Sequence, residues 1–277
     1  MAKKKTQALT REVLQNEVFA LQGFAQVKIG DQWKKTSYHD AVMPKNGAVI
    51  VCDMWNDHWC KGAARRVAEM APHINRLLRF MRNQGFLIVH CPSNTMEYYK
   101  DHPARKRILT APQAPADPPL KDWCDLDPER EDVLPFDDSD GGCCCGENCT
   151  YSRPYTHQHD AIEIDEDLDV IGDGFEVYNY FRMVGIEKVF YCGVHANICI
   201  PGRMFGIRQM TYQGIGCILI RDLIDVMYNP DMPPYIDHFD AIDHMAWHMQ
   251  KYWCPSVYSS DLMGGYPFRF REDYRLF

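Results

Sequence analysis

Lys188-Val-Phe-Tyr-Cys-Gly193-Val-His-Ala-Asn-Ile-Cys199-Ile-Pro-Gly-Arg-Met-Phe-Gly-Ile-Arg-Gln-Met210 is the stretch on which the reading of this chain turns. It opens with a β-branched and aromatic run, Val189 to Tyr191, that predicts a short buried strand. The run breaks at Gly193 and resumes as a helix-like pattern carrying Cys199. A thiol just past a strand-turn, where a helix begins, is well placed for chemistry. The first turn of a helix has unpaired N–H groups and a positive dipole end, and both favour a thiolate. The same position also suits a buried structural cysteine, which packs like a small apolar residue.

Working outward, Ala48-Val-Ile-Val-Cys-Asp53 follows the turn Lys45-Asn46-Gly47 and reads as a continuous apolar strand ending in an acid. Such runs belong to parallel sheets covered on both faces. A helix is expected from Gly62 to about Asn83, a strand over Phe86–Cys91 stopped by Pro92, and a strand near Ala161–Ile164. A helix from Phe175 to Val184, a last core strand Gly216–Arg221 and a last helix Tyr235–Tyr252 complete the pattern. This alternation predicts an α/β fold: a doubly wound, mostly parallel sheet with helices on both faces, three layers α/β/α. Residues 1–45 read as an N-terminal arm, with a helix over Leu9–Phe24 and a short strand leading into a turn at Gly30-Asp31. Residues 46–255 read as the main domain. The Pro- and charge-rich segment 93–158 reads as a long insertion, a lid or binding loop. The aromatic tail 256–277 is expected to dock on the body or on a partner subunit.

The chain has 277 residues, 46% of them hydrophobic, enough for a full core in one large α/β domain. Its net charge of −8 gives no electrostatic case for nucleic acid or an anionic membrane as partner. The basic run Lys3–Lys5 is too short to change that. No apolar run approaches the roughly 18 residues that span a bilayer, and no apolar segment follows the N-terminal lysines as a secretory signal requires. A cytoplasmic protein is the expectation. The 12 cysteines then read as reduced thiols, several of them (Cys52, Cys91, Cys192, Cys217) within strand-like runs. Cys143 to Cys145 and Cys149 lack the paired C-x₂-C form of a zinc site, and adjacent cysteines rarely all ligate one ion. They read as plain loop cysteines, with a structural metal involving Cys124 or aspartates as the alternative.

A cysteine nucleophile needs a proton acceptor and donors for a developing oxyanion. Asp53 ends one core strand and Cys199 follows another, on the same edge of the sheet, where open α/β sheets place their ligands. Gly193-Val-His-Ala-Asn-Ile-Cys199 resembles the nucleophile loop of the isochorismatase-like cysteine hydrolases, the superfamily that includes nicotinamidases. Asp53-Met-Trp-Asn-Asp57 is similar to that family's D-x-Q-N-D block, with Trp55 where Gln is usual. The resemblance covers roughly residues 46–255. It implies Asp53 as base, Cys199 as nucleophile, the backbone N–H groups of His195 and Cys199 as oxyanion donors, and a cis peptide at Val194-His195. It further implies hydrolysis of a small amide or related C–N bond through a thioester, and assembly as a homo-oligomer. An activated Cys199 of this kind is expected to alkylate well below pH 8.

The pattern departs from the family in two places. The family lysine is expected near the third strand, but Ala161 to Val170 contains none; Arg153, His157 and His159 are the nearby substitutes. Nicotinamidases bind a divalent ion through an Asp-x-His pair and a later His, and here Ser93-Asn94-Thr95 stands in that loop. His58 and His90 remain as metal candidates, and the cysteine mechanism requires no cofactor. Trp55, His58, Trp59, His195 and Asn197 are expected around the pocket, while Arg203, Arg208 and Arg221 read as structural ion pairs. The rival reading, supported by the missing lysine, is a non-catalytic binding protein of the same fold. A third makes the Cys-rich loop a metal-dependent interaction element.

Overall fold

The computed structural model describes residues 13–145 and 149–275. The chain runs β1 (Phe19–Ile29), β2 (Gln32–Val42), β3 (Gly47–Cys52), α1 (Lys61–Gln84), β4 (Leu87–Cys91), α2 (Pro103–Ile108), β5 (Val170–Ile171) and α3 (Glu176–Val184). It continues with β6 (Lys188–Gly193), α4 (Cys199–Gly202), α5 (Ile207–Tyr212), β7 (Gly216–Ile224), α6 (His238–Tyr252), β8 (Ser256–Val257) and α7 (Ser259–Met263). One sheet holds all eight strands in the order β2-β1-β8-β7-β6-β3-β4-β5. Strands β3 to β8 pair in parallel, and the β1–β2 hairpin joins antiparallel through β8.

Every residue of β3 is buried, as its unbroken apolar run requires. The order of the strands reverses at this point in the sheet. From β3 the chain goes outward to β4 and β5, then returns to β6 and proceeds the other way to β7 and β8. Right-handed crossovers in opposite directions place their helices on opposite faces. Accordingly α1 packs with α7 over the middle of the sheet, and α5 and α6 pack on β7. The gap between the ends of β3 and β6 is the topological switch point, the position at which such sheets bind ligands. Among the described residues, no helix is long and apolar enough to cross a membrane.

Three sequence expectations change. Residues 19–24, expected to be helical, belong to β1, because alternating Phe19 to Ile29 finds a partner strand in β2 and an edge in β8. Gly23 permits that approach, since a Cβ there would lie 2.3 Å from the Ser256 carbonyl oxygen. Residues 9–12 of the expected helix lie outside the described residues. The expected strand at Ala161–Ile164 is absent: the Ile162 N–H turns back to His159 and the Glu163 N–H goes to the Asn75 side chain. The edge of β4 is taken by Val170–Ile171 instead. The helix after Cys199 lasts only four residues, because Pro201 and Gly202 lead to an extended Arg203 at ψ 160°. The tail from Ser256 docks on the body, where Asp222 accepts the N–H groups of Ser259 and Phe268.

Candidate active site

Asp53 follows β3 with φ +48°, a left-handed conformation uncommon for a residue with a side chain. Its N–H donates to Cys91 at 2.9 Å, and its carbonyl accepts the Trp55 N–H at 2.8 Å. Gly193 closes β6 at φ +108°, where a Cβ would sit 2.1 Å from the Cys52 carbonyl oxygen. Only glycine lets the two strand ends come this close, and the Val194 N–H then bonds that same oxygen at 2.9 Å. The Val194–His195 peptide is cis, where the family resemblance put it. Beyond it the Ala196 N–H donates to Asp225, and the N–H groups of Ile198 and Ile200 both donate to His195. This tight turn carries Cys199 back to Asp53.

The carboxylate of Asp53 is fully buried. Oδ1 accepts the Ser93 backbone N–H at 2.9 Å. Oδ2 accepts Arg203 Nε at 3.1 Å and Nη2 at 3.0 Å. Burial pushes the Cys199 thiol well above its ordinary range, and the Asp53 charge adds to that. Arg203 and the His195 backbone N–H act in the opposite direction. Burial works against the charge on Arg203, but Asp53 outweighs it and holds the guanidinium protonated. The resting arrangement is thus a neutral thiol beside a carboxylate that a permanent cation grips. With α4 so short, the macrodipole anticipated for the thiol is small; the cation takes over that role.

Among the described residues, the backbone N–H groups of His195 and Cys199 donate to no protein oxygen. Two such N–H groups beside the Cys199 thiol can donate to a bound oxygen atom. The His195 ring is neutral, its pKa pushed down to about 3 by burial and by the charge of His58. Its Nε2 is buried without a partner.

Trp55 keeps its expected place. Its Nε1 donates to the Ser93 carbonyl at 3.0 Å, bracing the same residue that holds Asp53. Its ring stacks on Tyr155 with centroids 4.2 Å apart. His58 lies 6.1 Å from Trp55 and 5.3 Å from the His195 ring, while its Nδ1 accepts the Cys60 N–H. Trp59 instead packs toward Tyr151 and the cysteines at 143–145. Asn197 pins its loop through Asp138 and both backbone groups of Met227. His90 is no metal candidate in this setting: its ring nitrogens bond Gln158 and Asp169 deep in the protein.

The anticipated substitutes for the family lysine are placed elsewhere. Residues 155–159 run beside the Asp53 block, with Asn56 bonded to His157 and His159 bonded to Met54 through the backbone. The His157 ring turns to Thr156 and Asp160, and the His159 Nδ1 accepts the Ala161 N–H. Arg153 reaches only the neighbourhood of the Tyr155 hydroxyl, whose ionisation burial suppresses and Arg153 favours. The cation on Asp53 is Arg203, which the sequence reads as a structural pair. Its signal was its spacing, four residues after Cys199, one helical turn on.

Other site residues missed in the sequence are Tyr155, Asn94 and Trp123. Asn94 is a second left-handed residue, φ +65°, beside the Tyr155 hydroxyl. The Trp123 ring covers the Arg203 guanidinium at 5.6 Å, and Trp123 also forms a backbone bridge to Arg203.

No family model matches the chain, and no curated protein matches it. Among solved structures, it is similar to a cysteine hydrolase from Pseudomonas syringae pv. phaseolicola at 14% identity, covering 80% of this chain and 92% of that one, with a TM-score of 0.48. It is similar to an isochorismatase family protein from Burkholderia thailandensis at 11% identity, covering 79% and 94%, with a TM-score of 0.45. An isochorismatase from Pseudomonas putida is similar at 12% identity, covering 79% and 90%, with a TM-score of 0.46.

Proposed function

We propose that the chain is an isochorismatase-like cysteine hydrolase that cleaves a small amide or related C–N bond. The reading rests on one observation: the Cys199 thiol meets a buried Asp53 carboxylate, itself clamped by Arg203, at the switch point between β3 and β6.

In this reading the Cys199 sulfur attacks the substrate carbonyl carbon as its proton passes to Asp53. The oxyanion is received by the N–H groups of His195 and Cys199. Asp53 returns the proton to the leaving nitrogen as the C–N bond breaks, which leaves a thioester on Cys199. Water then attacks the thioester, giving its proton to Asp53; the carboxylic acid departs and Asp53 reprotonates the sulfur. Arg203 cannot carry a proton at any step, since a guanidinium stays charged. It holds Asp53 in place and offsets its charge. The Trp55–Tyr155 stack favours a small planar substrate. No cofactor takes part in these steps. A homo-oligomer in the cytoplasm completes the proposal.

A panel of small amides assayed against the native chain and Cys199→Ser tests it, with intact-mass detection of the acyl-enzyme after rapid quench. Turnover by the native chain with an acyl adduct on Cys199 supports the reading; equal activity of the serine variant would sink it. The second reading, a non-catalytic binder, is favoured by the depth of Cys199, which is only 7% exposed. Saturable binding of an amide with no adduct and no turnover would decide for it.

A further inference from the structure

Five thiols converge on the first turn of α1, away from Asp53 and Cys199. Cys60 stands at the N-cap of this 24-residue helix. Its Sγ lies 3.5 Å from that of Cys145, and the Sγ atoms of Cys60, Cys143 and Cys145 all fall within 4.8 Å of one another. Cys149 stands against Cys143, Cys145 and the backbone N–H of Lys61. Cys145 Sγ accepts the Gly62 N–H at 2.7 Å. Cys144 also touches Cys60, but its Sγ is held by Arg66 Nη1 at 3.3 Å.

Three sulfurs mutually this close leave room for one common neighbour. A tetrahedral ion with Zn–S bonds of about 2.3 Å puts its sulfurs about 3.8 Å apart. A polynuclear iron–sulfur cluster binds each cysteine to a different iron and spreads the sulfurs wider. The surroundings also suit a centre of net negative charge. Two backbone N–H groups and the positive end of a long helix point at the thiols, and Arg66 lies beside them. The sequence spacing hides this, because the ligand that completes the set, Cys60, lies more than eighty residues before the others.

We propose that Cys60, Cys143, Cys145 and Cys149 bind one zinc ion in a tetrahedral all-thiolate site. Binding displaces the four thiol protons to solvent and involves no change of oxidation state. The ion clips the insertion to the start of α1. The same loop already reaches the nucleophile turn, because Asp138 accepts the Asn197 Nδ2 at 2.9 Å. A Cβ at Gly142 would lie 2.4 Å from the Met227 backbone, so loop and turn are in close contact. The zinc is therefore structural, steadying the loop behind His195 and Cys199, and it stands independently of the hydrolase reading.

Elemental analysis of the full chain purified under reducing conditions tests the site, together with cobalt(II) exchange. About one zinc per chain is expected, and the cobalt form is expected to show thiolate-to-metal charge transfer with the visible bands of a tetrahedral sulfur site. Cys145→Ser and Cys149→Ser are expected to lose at least tenfold of the zinc retained after dialysis against a competing chelator, whereas Cys144→Ser keeps it. Should a serine variant not fold, the native cobalt spectrum carries the test alone, and a spectrum without sulfur charge transfer overturns the proposal. So do reduced protein without zinc, a Cys60–Cys145 disulfide found by peptide mapping, iron with acid-labile sulfide, and zinc loss from Cys144→Ser matching that from Cys149→Ser.

Discussion

Arg203 holds Asp53 by two nitrogens on one carboxylate oxygen, at 3.1 and 3.0 Å, from a position one helical turn beyond Cys199. The Cys199 thiol and the Arg203 cation thus come from a single turn, and Asp53 from the end of the neighbouring strand. Breaking a buried pair strands the remaining charge, which costs about 3 kcal/mol. Arg203→Ala is expected to lose about that much stability in urea unfolding, with amide turnover falling below detection. Arg203→Lys is expected to recover most of the stability and part of the activity. Native-like stability of the alanine variant would contradict the role given to the pair.

The thiol reverses the expectation of easy alkylation. Burial and the Asp53 charge both raise the pKa of Cys199, so the thiolate forms only at alkaline pH. Iodoacetamide is expected to modify it more slowly at pH 7 than an unburied cysteine, with the rate rising steeply above pH 9. Asp53→Asn removes the second of those causes and leaves Arg203, which favours the thiolate. That variant is expected to alkylate at least tenfold faster than the native chain at neutral pH while losing turnover. Site-resolved mass spectrometry across pH gives both rates.

Acid destabilises the chain through two buried carboxylates. Burial alone would raise Glu131, but hydrogen bonds from His248, Arg208 and Trp253 hold it at about 2. Burial likewise opposes the charge of Asp169, and His90 and Arg82 bring it to about 2. Carboxyls with depressed folded values stabilise above their unfolded pKa, and that stability is lost as pH falls through the folded value. Thermal unfolding is expected to drop between about pH 4 and pH 2, each group contributing at most about 3 kcal/mol by its shift. Glu131→Gln is expected to be less stable than the native chain at pH 7, with a flatter acid limb.

Trp55 joins two functions that can be separated. Trp55→Phe keeps a ring against Tyr155 but loses the bond to Ser93, a loss of about 1 kcal/mol. Since Ser93 holds Asp53, kcat is expected to fall about fivefold with KM little changed. Tyr155→Ala removes the other half of the stack and is expected to raise KM instead. A matching split for both variants would show that the stack and the brace are one device.

The sheet and the meeting of Asp53 with Cys199 are legible in the sequence because they depend on short-range signals. An unbroken apolar run before an acid marks β3 and Asp53, and Gly193 six residues before Cys199 marks the turn between strand and thiol. Arg203 is not legible in the same way. Its extended conformation after Pro201-Gly202 and its cover by Trp123 depend on a segment about eighty residues earlier. His157 and His159 mislead for the opposite reason: their backbone lies beside Asp53 while their rings bond within their own loop. The strand expected at Ala161–Ile164 does not form because the free edge of β4 is taken by Val170–Ile171.

Two backbone bridges, Trp123 with Arg203 and Gln158 with Trp55, moor the insertion to the rim of the sheet. Between those bridges the segment also carries the buried partner of Arg208 and the acceptor of Asn197, so a change in it is passed on to the turn that holds Cys199. The insertion and the sheet edge beneath it therefore move, or stay still, as one mechanical unit.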